Sequence, residues 1–190
     1  MINTLVGLLA ALTVGTIILM VMETDPVVPK VRSLIATSDD DPMRIVRDTD
    51  VPLHGQAWEN IVIHATGSEG PEITRLCHFI IAPGAEGGEG FNIESTSLWR
   101  TQGHSLHVLG TNEHLRQSSI AVCLVGDYKA DRPPERQLRQ LLALVRSLQF
   151  YFQIAKGHVY LYRDLDTGTF SPGRAFPASS FTARLLRTGS

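Results

Sequence analysis

Ile61-Val62-Ile63 is the stretch that most restricts this chain. It is a run of β-branched residues, closed by His64 and followed by the polar Thr66-Gly67-Ser68-Glu69-Gly70. β-branched side chains suit the pleated surface of a strand. A run that is apolar at every position suits a strand covered on both faces, as in parallel or mixed sheets flanked by helices. A histidine at the mouth of such a strand sits where a rigid scaffold can hold a metal ligand or a base. The plainer reading is a core histidine with its hydrogen bonds satisfied.

The 190 residues suffice for one ordinary domain and an appendage. With 17 basic against 19 acidic side chains, no positive excess is available to neutralise a phosphate backbone, so nucleic acid is excluded as the expected partner. Cys77 and Cys123 are the two cysteines, and both lie in apolar, strand-like runs. Buried free thiols are the expectation, and a disulfide between them depends on geometry that spacing does not reveal.

Residues 5–22 are apolar, Gly or Thr throughout and carry no charge. As a helix they would span roughly 27 Å, close to the hydrocarbon thickness of a bilayer. No basic residue precedes the run and no small-x-small cleavage site comes after it, which favours a retained anchor over a cleaved signal peptide. Lys30 and Arg32 flank only its C-terminal side, with Glu23 and Asp25 closer, so charge alone leaves the orientation open. Residues 23–50 hold Pro26, Pro29, Pro42 and the run Asp39-Asp40-Asp41, a composition for an extended tether. Ile45-Val46 offers an apolar patch that can dock on the domain. The expected organisation is an anchor over 1–22, a linker over 23–50 and a domain over 51–190.

Within that domain, Cys77-His-Phe-Ile-Ile-Ala82 reads as a second strand and Phe91 to Thr96 as a third, joined by a glycine-rich hairpin loop. Between His64 and Cys77 there is room for a turn and at most a short helix. Trp99 through Gln117 reads as loop, and its His104, His107 and His114 as loop composition rather than a metal cluster. Ser119-Ile-Ala-Val-Cys-Leu-Val-Gly-Asp127 is the strongest strand and the expected centre of the sheet. After Pro133-Pro134, the residues Leu138, Leu141, Leu142, Val145, Leu148 and Phe152 recur at helical spacing, with Arg136, Arg139, Gln140 and Arg146 outward. His158-Val-Tyr-Leu-Tyr162 is a last strand, and a short helix is expected near Phe181 to Leu186. The fold class is α/β, a mixed central sheet flanked by helices.

The order of these motifs carries a resemblance. Trp58 and Ile61-Val-Ile-His64, Cys77-His-Phe-Ile-Ile81, Trp99 with Gly103-His104, Ser119 to Gly126, the Pro133-led helix, Tyr162-Arg-Asp164 and Thr169-Phe-Ser-Pro-Gly173 succeed one another as in a known family. Residues 58–177 resemble the type-2 N-acetylmuramoyl-L-alanine amidases, whose fold is shared by peptidoglycan-recognition proteins. The resemblance implies a zinc ion that polarises the muramoyl–L-alanine amide and activates a water. It puts the three ligand positions at His64, Tyr162 and Ser171, and an assisting position, commonly tyrosine, at Cys77. It puts Thr66, Trp99, His104 and Thr169 around the substrate groove, where Trp99 either stacks on sugar or packs the loop.

Of the three ligand positions only His64 keeps its chemistry. Serine stays protonated at neutral pH, and tyrosine, with a pKa of about 10, must lose a proton to bind well. His158, four positions before Tyr162, lies about 13 Å off along a strand and does not reach. His78 alternates to the face opposite Cys77. The expectation is a hydrogen-bonded cluster of His64, Tyr162 and Ser171 in place of the metal. A serine hydrolase built on Ser171 and His64 lacks a nucleophile elbow and an orienting carboxylate.

With these departures, the resemblance implies a membrane-anchored, amidase-like domain of the bacterial cell envelope that binds peptidoglycan fragments, or an envelope protein, without hydrolysis. No cofactor is expected in that reading. The alternatives are a zinc amidase with unorthodox ligands and a scaffold whose groove is vestigial. The resemblance, rather than the flanking charges, places the domain on the periplasmic or outer side of the inner membrane.

Overall fold

A computed structural model describes residues 41–53, 58–67, 70–84, 92–105 and 113–187. All fall in one compact unit, Asp39–Ser190. The expected membrane span, most of the tether, His107 and most of the glycine-rich loop lie outside the described residues. Among the described residues no helix is long and apolar enough to cross a membrane.

Five strands form one mixed sheet in the order β3-β2-β4-β1-β5. They are β1 (Asn60–Ala65), β2 (Phe79–Ile81), β3 (Ile93–Ser95), β4 (Ser119–Leu124) and β5 (Val159–Leu161). β4 is the middle strand, parallel to both β1 and β2, β5 runs parallel to β1, and β3 returns antiparallel to β2. Every residue of β1 and β4 is buried, the outcome expected of continuously apolar strands.

Alternation along the strands sorts their side chains onto two faces. Ile61, Ile63, Phe79, Ile81, Ile120, Val122 and Leu124 pack with Leu141, Leu144, Val145 and Leu148 of the long helix Glu135–Phe152. The opposite face carries Cys77, Ala121 and Cys123, with Ile73 from the 3-10 helix Gly70–Leu76 laid over them. The long helix adopts its predicted stripe with one correction. Gln140, expected on the outer face, is buried, as are Gln137 and Gln149. The latter two tie the helix down: Gln137 donates to the Ile81 and Val125 carbonyls, and Gln149 to those of Ile154 and Leu186.

Other differences are local. Helix α1 (Pro42–Val46), capped by the Asp41 carboxylate, packs on the domain with Val46 fully buried. The packed layer therefore includes residues assigned to the tether, because Ile45-Val46 finds apolar cover. The region expected as loop holds α2 (Ser97–Arg100), started by Thr96 accepting the Trp99 amide, and α3 (Glu113–Ser118). The last strand is shorter than expected. His158 is exposed and ends a 3-10 turn, while Tyr162 opens a helical turn, Tyr162–Leu165. The C-terminal helix forms at Ala178–Ala183, a little ahead of its expected place, with Phe181 buried.

His78 points to the side away from Cys77, as expected, but both are bend residues ahead of β2, so the bend and not strand alternation separates them. The Ala121 amide donates to its Nδ1 at 2.9 Å, so the ring is neutral with the proton on Nε2, 2.8 Å from the Gly103 carbonyl. Burial lowers its pKa from 6.5 to about 4; the Gly103 carbonyl opposes that shift and His104 adds to it. The unfolded chain therefore binds a proton that the folded chain refuses. This stabilisation is complete above pH 6.5, falls as pH drops and is gone near pH 4. It amounts to roughly 3 kcal/mol. Urea unfolding at pH 7 and pH 4.5 should show a large loss in the wild type and a smaller one in His78→Asn, which keeps an acceptor for Ala121. Equal losses would refute the assignment.

Candidate functional site

The carboxyl ends of parallel strands leave side chains and loops pointing into one crevice, the usual ligand position in open α/β sheets. Here β1 ends in His64-Ala65, β4 continues into Asp127-Tyr128-Lys129, and residues 166–173 close over them. Together with Tyr162 they line a cleft of about 410 Å³. Thr66 joins the two strand ends: its hydroxyl accepts the Gly126 amide at 3.0 Å and donates to the Gly126 carbonyl at 3.4 Å. Thr169 holds the far wall by accepting the Ser171 amide at 3.2 Å.

At the floor, His64 is 2% exposed. Its Nε2 lies 2.8 Å from the Cys77 sulfur and its Nδ1 3.3 Å from the Ala65 carbonyl. The Tyr162 ring stands 6.1 Å from the imidazole, centroid to centroid. Ser171 faces the β1 backbone instead: its hydroxyl accepts the Ala65 amide at 2.8 Å and lies 3.4 Å from the Ala65 carbonyl. The structure thus brings His64, Tyr162 and Ser171 around one cleft, as expected. The bonds differ from the expected cluster, since Cys77 meets the imidazole and Ser171 meets the strand. Both cysteines are free thiols, and burial next to Cys123 pushes the Cys77 thiol well up.

Two groove expectations are corrected. Trp99 lines no part of this cleft. It is fully buried against Phe79, with ring centroids 4.5 Å apart, and donates Nε1–H to the Val46 carbonyl. The packing option won because α2 turns its apolar face onto the sheet side that the long helix covers. His104 is exposed and sits by Trp58 and the Gln117 carbonyl, outside the residues that line the cleft.

The profile of the family described as N-acetylmuramoyl-L-alanine amidase matches residues 54–174. The chain belongs to that family. None of the curated proteins matches it. Among solved structures it is similar to the N-acetylmuramoyl-L-alanine amidase LysC from Clostridium intestinale URNW, at 20% identity and a TM-score of 0.54, over 68% of this chain and 85% of that one. It is similar to a selenomethionine derivative of AmpD, at 16% identity and a TM-score of 0.54, over 69% and 86%. The amidase AmiD from E. coli, solved with anhydro-N-acetylmuramic acid-L-Ala-D-gamma-Glu-L-Lys, matches at 17% identity and a TM-score of 0.55, over 70% of this chain and 60% of that one. At these identities the likeness concerns the fold.

Within this amidase-family domain, sequence reasoning missed two things. Cys123 is the register partner of His64 on β4, and only strand pairing brings it there. Phe170 is 59% exposed on the cleft lining, with the Arg174 guanidinium 4.5 Å over its ring. An aromatic next to Ser171 in a cleft-forming loop was the available signal.

That loop depends on Gly173. Its φ is +111°, and a Cβ there would lie 2.3 Å from the Tyr128 backbone oxygen. Gly173→Ala should cost more than about 2 kcal/mol through this conformation and collision. Loop displacement should also lower affinity for any cleft ligand. Thermal melts that leave Tm unchanged would contradict this.

Proposed function

We propose that this domain binds muramyl-peptide fragments of peptidoglycan in the cleft beside His64 without cleaving the muramoyl–L-alanine amide. The observation that carries the reading is the fate of Ser171. The resemblance assigns Ser171 to a ligand position of the family, and its oxygen is bonded to the Ala65 backbone. With Tyr162 at a second position, the donor set His64, Tyr162, Ser171 does not fit a catalytic zinc ion. Such an ion draws on imidazole, thiolate and carboxylate. The binding half rests on family membership and on the cleft, and the ligand in the AmiD structure supplies the substrate class.

In this reading residues 5–22 anchor the chain in the membrane and the domain faces the peptidoglycan side of the envelope. Phe170 offers an apolar platform for a sugar face or a peptide side chain at the rim. Calorimetric titration with a monomeric anhydromuramyl peptide should show saturable binding. Phe170→Ala should weaken it about 10-fold or more, the worth of burying much of an aromatic ring, with the fold unchanged because the ring is exposed. Absence of binding at millimolar ligand would sink the proposal.

A further inference from the structure

Behind the cleft floor lies a group of donors of which only His64 belongs to the amidase ligand set. His64, Cys77 and Cys123 each present one ligand atom, and these atoms all lie within 4.8 Å of one another. The group has a topological cause. His64 and Cys123 are register partners on the parallel pair β1–β4 and point to the same face. Cys77 follows the 3-10 helix that covers this face and turns its sulfur inward, 2.8 Å from His64 Nε2. From these positions we infer a metal site in which His64 Nε2 and the sulfurs of Cys77 and Cys123 hold a thiophilic divalent ion, zinc.

Four observations support this assignment. Thiolate and imidazole are the donors that zinc takes. The second imidazole nitrogen, Nδ1, faces the Ala65 carbonyl, the outer partner that orients a ligating histidine with its other nitrogen toward the metal. Outside the group itself the sulfurs have only distant partners: Cys77 lies 3.6 Å from the Ile73 carbonyl and Cys123 3.9 Å from that of Leu124. Charge agrees as well. Both cysteines are fully buried and His64 nearly so. A divalent ion with two thiolates and a neutral imidazole sums to zero, whereas a lone charge in such a place is costly. Binding releases two thiol protons to solvent. His64 also lines the cleft, so the cleft is the entry path.

The site differs from the family's: it uses the first strand's histidine but turns away from Tyr162 and Ser171 to the opposite pair of donors. It stands whether or not the cleft takes a muropeptide.

Cobalt(II) titration of the reduced protein tests it. Cobalt should bind stoichiometrically with intense near-ultraviolet thiolate-to-metal absorption, and zinc should displace it. Cys77→Ser, Cys123→Ser and His64→Gln should each lower zinc affinity at least about 100-fold, beyond what loss of a supporting partner costs. Tyr162→Phe and Ser171→Ala should lower it less than about 10-fold. Metal-free circular dichroism and melting of each variant separate ligand loss from misfolding. Where a cysteine variant does not fold, the extinction of the wild-type charge-transfer band still counts the coordinating sulfurs. Three results would overturn the inference: no thiolate band, a band lost in Ser171→Ala and kept in Cys123→Ser, or a Cys77–Cys123 disulfide in the protein as isolated.

Discussion

Incubated with muropeptides, the protein should return them intact. In the proposed reading, two of the family's three zinc positions fall on the Tyr162 phenol and the Ser171 hydroxyl, and that hydroxyl is bonded to the β1 backbone. Removing even a supporting partner of a metal ligand costs roughly 10–100-fold, so the loss of two ligands lowers turnover by at least about 100- to 10,000-fold. Liquid chromatography with mass detection should find no free peptide headed by L-alanine, with zinc added or withheld, while an active amidase run alongside releases it. Stoichiometric release by the purified domain would overturn the non-hydrolytic reading. It would leave the cobalt spectrum as the separate measure of which residues hold the metal.

Trp99→Ala should be the most damaging single change to the fold. The indole is fully buried and touches Phe79, Trp58, His78 and Phe152, so its removal empties the meeting point of β2, α2 and the long helix. It also strands the Val46 carbonyl that accepts Nε1–H at 3.1 Å and holds α1 in place. Truncating a core aromatic of this size costs roughly 3–5 kcal/mol. Against a total stability of about 5–15 kcal/mol, that is a large share. Urea denaturation should show the midpoint falling sharply. Trp99→Phe, which keeps a ring and loses only the hydrogen bond, should cost about 1–2 kcal/mol beyond its smaller volume. A groove residue would behave in the opposite way, losing muropeptide affinity while the denaturation midpoint held.

The elements that hold the site were readable because their signals are local. β-branched and apolar runs mark β1 and β4, and a stripe at helical spacing marks the long helix, whatever the rest of the chain does. His64 could be placed at a strand mouth because the change from apolar to polar occurs at that residue. The tight segments were harder. Thr96 starts α2 and Asp41 starts α1 through single side-chain bonds, and helices this short lack enough turns for a periodic pattern.

Which side chains meet depends on pairings between distant parts of the chain. Shifting β4 by one residue against β1 would send Cys123 to the face covered by the long helix and bring an apolar neighbour to His64. The register His64↔Cys123 is therefore a property of the assembled sheet. Ser171 likewise reaches the Ala65 backbone from 106 positions away, so its engagement depends on how the C-terminal loop is folded over β1. By itself the sequence determined the strands, the long helix, their order and the family, since each rests on local pattern or on motif succession. Only the tertiary structure decided that Trp99 is core, that Ser171 is held by the β1 backbone, and that Cys77 and Cys123 stand with His64. Contact across a sheet is set by register and facing, and no span of sequence contains either.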